Sequence, residues 1–182
     1  DHGYRTGRIK LGTESSGGFK NITVTNCIFE HCRGLALETV DGGHLEDIEI
    51  SHITMRHIVN AGIFLRLGAR MRSPEGTPAG SMKRIRISHI NAYDVDSRYS
   101  SIISGIPNGI IEDVTFDHIH LYYKGGYTKE DGKRELPEQE KVYPEPWMFG
   151  TIPAKGFYIS HAKNISFHHI NFYYEKPDGR PL

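Results

Sequence analysis

Short runs in which every second residue is apolar recur along the chain, and they share one phrase. The phrase reads NITVTNCI from Asn21, DIEISHITM from Asp47, RIRISHINA from Arg84, DVTFDHIHL from Asp113 and NISFHHINF from Asn164. A period of two is typical of β-strands with one buried face, and apolar residues at helical spacing are scarce. The pattern therefore predicts five copies of one strand-rich unit.

The apolar positions of the phrase also set the register and the length of the repeat. Aligning the first copy on the second pairs Val24 with Ile50 and Cys27 with Ile53. Across the five copies, one position is occupied by residues 26, 37, 29 and 51 places apart: Ile22, Ile48, Ile85, Val114 and Ile165. A basic period near 26 with insertions is typical of a solenoid. Three strand runs fit each repeat, which predicts an all-β parallel β-helix of about five coils.

One polar position inside the phrase is always Asn or His. It is occupied by Asn26, His52, His89, His118 and His169. Asn, and less readily His, tolerates the left-handed backbone of a tight turn, so we expect these side chains to stack along successive coils. This interpretation gives the four histidines a structural role.

A second family of strands alternates with the phrase. Its members are RIKLGTE, GLALETV, GIFLRLGAR, SIISGIP and GFYISHA. Their alternation points the apolar positions inward and leaves an outer face that includes Lys10, Glu38, Phe64, Arg66 and Tyr158. Such a face is either an ordinary solvated surface or a binding surface.

Two insertions interrupt what we interpret as a single domain, 1–182. They span about 70–83 and 124–154, and loops of this length tend to form functional walls or lids. The second carries Trp147, Met148 and Phe149, for which docking against the solenoid is favoured over ligand stacking. Because neither end of the chain has a capping element, we expect a partial domain, the C-terminal part of a longer solenoid.

Composition narrows the classes of partner. Lys plus Arg number 22 and Asp plus Glu number 22, so no basic excess favours nucleic acid. No apolar run is long enough to span a bilayer, and a membrane partner is not expected. Two cysteines cannot build a disulfide framework, and alternation points Cys27 inward as a buried thiol. No metal-ligand cluster is evident, so we expect neither metal nor cofactor, and a monomer.

Longer strings resemble glycoside hydrolase family 28, the polygalacturonase and rhamnogalacturonan hydrolase family. The strings are GTESSGGFKNI, GLALETVDGG, IFLRLGARMR, ISGIP, and YPEPWMFGTIPAKGFYI, in that order over nearly all of the chain. Similar strings occur in a bacterial branch of the family. The resemblance implies a right-handed parallel β-helix, inverting hydrolysis of pectic polysaccharide or oligosaccharide containing galacturonic acid, and an extracellular or periplasmic location.

An inverting glycosidase needs a carboxylic acid and a carboxylate base on opposite sides of the sugar. In the family these are aspartates in an NTDG-type phrase and an Asp-Asp phrase, and neither phrase occurs in these 182 residues. The resemblance therefore implies no catalytic residue here, with the acids on upstream coils. The family's Gly-His-Gly is replaced by Thr6, Gly7 and Arg8, and its Arg-Ile-Lys by Ala36, Leu37 and Glu38. Within the pectic class, the substrate stays open.

What the resemblance leaves for this chain is substrate binding. Arginine and lysine suit a uronate carboxylate, carboxylates can accept hydrogen bonds from sugar hydroxyls, and aromatic rings can stack on a pyranose. The candidates are Lys10 and Arg66, then Arg33 and Arg70, with Glu14, Glu38, Tyr158, Phe64 and His161. The alternative for each is a structural ion pair or ladder between coils.

Two other functions stay open. A polysaccharide lyase of the same fold would need clustered cation-binding carboxylates, of which only Glu38 is expected on the outer face. A non-catalytic glycan-binding β-helix, as in adhesins and tailspikes, is also compatible, because architecture does not determine function.

Overall fold

The structure is a computed structural model that describes residues 8–14 and 16–182, and its regular elements are almost all β-strands. Short strands alternate with long ones along the chain. The short strands are β1 (Ile9–Leu11), β3 (Leu35–Thr39), β5 (Ile63–Leu67), β7 (Ser101–Ser104) and β9 (Phe157–Ser160). The long strands are β2 (Phe19–Glu30), β4 (His44–Ile58), β6 (Ser81–Val95), β8 (Ile111–Tyr123) and β10 (Ala162–Tyr174). Two 3₁₀ turns, Asp131–Lys133 and Pro146–Phe149, are the only helical segments among the described residues.

The strands form two parallel sheets of five. Sheet 1 holds the short strands in the order β1-β3-β5-β7-β9, and sheet 2 holds the long strands in the order β10-β8-β6-β4-β2. Each repeat thus adds one strand to each sheet. The predicted register is confirmed, because Ile22 pairs with Ile48 and Cys27 with Ile53. The two predicted strand families are the two sheets.

Apolar side chains from the two sheets form one continuous core. Leu37 and Leu65 of sheet 1 and Ile50, Ile87 and Phe116 of sheet 2 are fully buried in it. Burial of each such side chain contributes about 1.5–3 kcal/mol. Cys27 packs against this core only partly buried, whereas Cys32 is buried within it, and both thiols are free.

Left-handed residues divide every long strand into segments of five residues. In β4 they are Asp47, His52 and His57, with φ of 59°, 55° and 54°. Each one restarts the alternation of buried and outward side chains, so the buried positions follow a 2-3-2-3 spacing. The expectation of three separate strand runs per repeat is wrong on this point. NITV and CIF belong to one strand, β2, because sheet pairing continues past the left-handed Asn26.

The predicted role of the Asn/His position is confirmed. All five residues at this position have φ between 52° and 57°, and the four imidazoles stack in one column. Ring centroids lie 4.6 Å apart for His52 and His89, 4.9 Å for His89 and His118, and 4.3 Å for His118 and His169. We call these four residues the histidine column.

The segment between β8 and β9, residues 124–156, covers the outer face of sheet 1, and we call it the covering segment. Met148 and Phe149 from this segment form a second apolar cluster with Phe64 and Ile102. Their predicted docking is confirmed, while Trp147 remains 55% exposed. The expectation of an open outer face is wrong, because the non-repeated covering segment buries its middle.

Three further expectations concern the first insertion, the residues before Arg8 and membrane-spanning segments. The first predicted insertion, about 70–83, overlaps the strand-free stretch between β5 and β6, residues 68–80, but its last three residues belong to β6. Thr6 and Gly7 lie outside the described residues. Within residues 8–14 and 16–182, no helix has the length and hydropathy that a membrane span requires.

Candidate functional site

A pocket of about 580 Å³ lies at the β1 edge of sheet 1, beside the covering segment. Cationic, acidic and aromatic side chains line it. They are Arg8, Lys10, Thr13, Glu14, Arg33, Tyr143 and Glu145, together with the backbone of Gly12.

The first short strand and the loop after it form the floor of the pocket. Lys10 is opposite Ala36 in the sheet, so no bulky neighbour crowds the lysine side chain on its outer face. Gly12 has φ of 125°, and a Cβ there would lie 2.6 Å from the carbonyl oxygen of Glu38. This close approach requires glycine and brings Thr13 to the Glu38 carboxyl group.

Glu38 is a fully buried carboxyl group beneath this floor. One of its oxygens, Oε2, lies 2.7 Å from Lys10 Nζ and accepts a hydrogen bond of 2.9 Å from Thr13 Oγ1. The other, Oε1, has no hydrogen-bond partner and lies 3.7 Å from Arg8 Nη2. Burial raises the pKa of Glu38, and the nearby Lys10 and Arg8 charges only partly oppose this shift.

Glu145 brings a second buried carboxylate from the covering segment. Arg8 donates to both of its oxygens, and Asn60 Nδ2 donates to Oε2 at 3.2 Å. Lys10 Nζ and Arg33 Nη1 lie 3.9 Å and 3.8 Å from Oε1. Three cations therefore converge on one carboxylate, which fixes the covering segment against the β1 end of sheet 1.

Tyr143 forms a wall of the pocket and is 44% exposed. Lys10 Nζ lies 5.1 Å from its ring centroid, and the Arg70 guanidinium carbon lies 5.7 Å from it. An exposed ring flanked by two cations offers an apolar surface next to positive charge.

A second group of charges adjoins the pocket. Arg70 donates through Nε and Nη2 to both Asp41 oxygens, and Glu14 accepts from Arg72 Nη1 at 2.9 Å. Burial opposes ionisation of Asp41, but hydrogen bonds from Arg70 and the Arg72 backbone outweigh it and lower the Asp41 pKa. Arg70 also lies 3.6 Å from Glu14, so the group is held together by ion pairs.

The structure brings five of the nine predicted binding residues to this region. Lys10, Glu14 and Arg33 line the pocket, Glu38 lies under its floor, and Arg70 lies at its side. Of these five residues, Glu38 is the one that is fully buried.

Four predicted residues lie elsewhere, and one of them, Phe64, is buried in the second apolar cluster. Tyr158 is on β9, four strands from β1 and thus about 19 Å from Lys10 at the usual strand spacing. It packs beside the second apolar cluster. His161 follows β9, with Nε2 3.0 Å from Glu138. Arg66 is on β5, two strands from β1.

Arg66 is 1% exposed, so the structure leaves it no surface for a ligand. Its Nη1 donates to Ser104 Oγ at 2.7 Å and to the Gly105 carbonyl at 2.9 Å. Its Nη2 donates to the carbonyls of Glu138 and Gln139 at 2.8 Å and 3.0 Å. Arg66 therefore joins sheet 1 to the covering segment, and its expected exposure on an open face is contradicted.

Sequence reasoning missed four residues of the pocket: Arg8, Thr13, Tyr143 and Glu145. Arg8 was noted only as part of a short string, and Tyr143 and Glu145 only within YPEP. A contact between residues 8 and 145 spans 137 positions and has no counterpart in the other repeats.

Three cations, Arg8, Lys10 and Arg33, lie among three carboxyl groups, Glu14, Glu145 and the buried Glu38. Lys10 and Arg33 keep part of their side chains exposed, so they can bind an anionic group beside the Tyr143 ring. Comparison of the chain with models of protein families, with curated proteins and with solved structures found no match.

Proposed function

We propose that this chain forms the substrate-binding coils of a glycoside hydrolase similar to family 28, acting on pectic polysaccharide that contains galacturonic acid. The observation that carries the proposal is the pocket in which Lys10, Arg8 and Arg33 surround one opening beside the exposed Tyr143 ring.

The proposed architecture is a right-handed parallel β-helix. In both sheets the strand order advances one repeat at a time, as coils of a solenoid require. Crossovers between parallel strands of one sheet are almost always right-handed. The string resemblance described above independently implies this fold.

A galacturonate unit matches the chemistry of the pocket. Its carboxylate would be bound by Lys10 and Arg33, whose side chains keep 18% and 31% of their surface exposed. The Tyr143 ring would stack on the pyranose. Glu38 would act beneath the floor by holding the Lys10 ammonium in place at 2.7 Å.

In this proposal the reaction is inverting hydrolysis. One carboxylic acid protonates the leaving oxygen while a carboxylate activates water on the opposite face of the sugar. The family's two aspartate phrases are absent from these 182 residues, so the proposal places both groups on further coils. It also places the enzyme outside the cytoplasm, in the periplasm or cell exterior, where polymeric cell-wall pectin is met.

Product analysis tests the reaction. The full-length gene product is incubated with homogalacturonan and with rhamnogalacturonan, and both reducing ends and unsaturated uronate are followed. We expect new reducing ends without unsaturated product. Formation of unsaturated product would show that the protein is a lyase instead. Formation of neither product would show that it is a glycan-binding protein.

A binding measurement tests the pocket. Lys10→Met should weaken binding of oligogalacturonate about tenfold, because one charge-assisted contact is lost. Binding of the fully methyl-esterified oligomer should change little. Lys163→Met, which removes an exposed lysine of β10, is the matched control.

Removing Lys10 also leaves the Glu38 carboxyl group without its nearest cation. The double variant Lys10→Met/Glu38→Gln removes both charges and keeps the thermal midpoint close to that of the parent protein. If this folded double variant binds oligogalacturonate as tightly as the parent, the pocket is not the uronate site.

A further inference from the structure

The end of the histidine column carries a second cluster of polar groups, far from the pocket in sequence and on the other sheet. His118 of β8 and His169 of β10 are stacked neighbours, and Asp117 precedes His118. One ligand atom from each of these three residues lies within 4.8 Å of the other two. No other such group of three or more His, Cys, Asp or Glu occurs in the described part of the chain.

The three donor atoms lie close together. His118 Nδ1 lies 2.8 Å and His169 Nδ1 lies 3.0 Å from the same oxygen, Asp117 Oδ1. All three side chains are reachable from solvent, with 29% to 68% of their surface exposed.

These distances match the edges of a metal coordination polyhedron. Two ligands bound at about 2.0–2.1 Å at right angles to each other are about 3 Å apart. The two Nδ1–Oδ1 separations are therefore already those of neighbouring ligands. Two imidazoles and one carboxylate are donors that suit Zn²⁺, Cu²⁺ and Ni²⁺, with remaining positions open to water.

The backbone fixes the two histidines at this spacing. Both are left-handed, with φ of 53° and 52°, and their strands pair in register on both sides of them. A metal ion would need side-chain rotation and no backbone movement. Such preorganisation lowers the conformational entropy lost on binding.

We propose that Asp117, His118 and His169 form a binding site for one divalent transition-metal ion, which clips β10 to β8. Asp117 and His169 are 52 residues apart, and the intervening chain includes the covering segment. The ion would therefore join two paired strands across the covering segment. The sequence showed no ligand cluster because the three residues come from neighbouring repeats that are far apart in the chain.

Isothermal titration of the purified, metal-free protein with CuCl₂ and with ZnCl₂ in a non-chelating buffer tests the site. We expect one ion per chain and tighter binding of Cu²⁺ than of Zn²⁺, following the general order of affinities. His169→Asn and Asp117→Asn should each weaken binding at least tenfold. The Cu²⁺ complex should show coupling to two nitrogens by electron paramagnetic resonance.

The matched control is His89→Asn, which changes the same column one repeat away from the proposed ligands. Asparagine suits this position, because Asn26 occupies it in β2 with φ of 57°. The control should bind both ions within twofold of the parent, and all variants should keep the parent's metal-free thermal midpoint within a few degrees.

Three results would overturn the proposal. They are absence of binding at millimolar metal, a stoichiometry above one ion per chain, and equal weakening by His89→Asn and His169→Asn. The last two would show that the exposed imidazoles of the column bind metal without a defined site. None of these results bears on the proposed glycosidase function, which is measured by sugar products.

Discussion

Charged side chains on the outward faces of the two sheets are arranged in different ways. On sheet 2, one row of paired residues alternates in sign along the repeats: Lys20, Glu46, Lys83, Glu112 and Lys163. Every member meets an opposite charge one strand away, and the lysines stay hydrated. On sheet 1, Arg66 and Glu38 are buried, and their partners include groups of the covering segment and of the loop after β1, which do not repeat.

This difference shows where stability and specificity reside. A repeated row spreads its electrostatic free energy over several pairs in which the lysine is hydrated, so loss of one pair changes little. A buried charge depends on a few partners, and removal of any one leaves a desolvated group without compensation. The alternating row of sheet 2 therefore supports the scaffold, whereas the buried charges of sheet 1 hold the pocket in place.

The largest effect that separates the two faces is expected at Arg66. Arg66→Ala leaves the Glu138, Gln139 and Gly105 carbonyls without their donor, and should lower the free energy of unfolding by about 3 kcal/mol. Urea unfolding measures this change.

The matched control for that comparison is Arg86→Ala, which removes an arginine of sheet 2 with a 60% exposed side chain. It should cost no more than about 0.5 kcal/mol. Equal losses in the two variants would show that burial does not distinguish the faces. A protease that cuts the covering segment of Arg66→Ala faster than that of the parent protein would locate the loss.

A smaller effect is expected within the histidine column. His89→Val places a β-branched residue at φ of 53° and should lower the free energy of unfolding by about 2 kcal/mol, because the left-handed backbone strains it. His89→Asn should change it by less than about 0.5 kcal/mol. Thermal unfolding of the pair measures both, and equal values would show that backbone conformation does not govern this position.

The smallest effect is a pH dependence in the alternating row. A hydrogen bond from Ser81, together with those from Arg84 and Lys20, lowers the pKa of Glu46 to about 2. Its folded pKa is thus below its unfolded value, so its stabilisation is present above about pH 4.5 and is lost as pH falls toward 2. Because its cationic partners are hydrated, we expect Glu46→Gln to cost about 1 kcal/mol at pH 7.

Urea unfolding of Glu46→Gln and of the parent protein at several pH values measures that contribution. The difference between them should shrink between pH 4.5 and 2. Glu112→Gln, two strands along the same row, should show a smaller pH-dependent difference, because among the described residues only Lys163 forms an ion pair with Glu112. A difference for Glu46→Gln that stays constant across this range would contradict the assignment.

Sequence alone predicts the part of this molecule that repeats. Alternation and the Asn/His position gave the register of Ile22 on Ile48, the two strand families and the stacked imidazoles. These features arise from local backbone preference and pairing between adjacent repeats, both of which recur in the sequence. Only the number of strands per repeat was wrong, because a left-handed residue bends the chain without ending its pairing.

The pocket was less predictable. Lys10 and Arg33 were found from chemistry and strand direction, but Arg66 was placed on an open face that the covering segment closes. Glu145 reaches Arg8 across 137 positions, and a contact made once leaves no periodic signal. The metal-ligand geometry at Asp117 likewise depends on two repeats separated by that segment.

The left-handed residues have a consequence for insertions and deletions. In every long strand they are five positions apart, as at Asn21 and Asn26 or Asn164 and His169, although the repeats differ in length. Adding or removing one residue between two of them would turn core side chains toward water. All variation in length is accordingly carried by the connections, and residues 73–78 are where a peptide tag could be introduced while the strands remain paired.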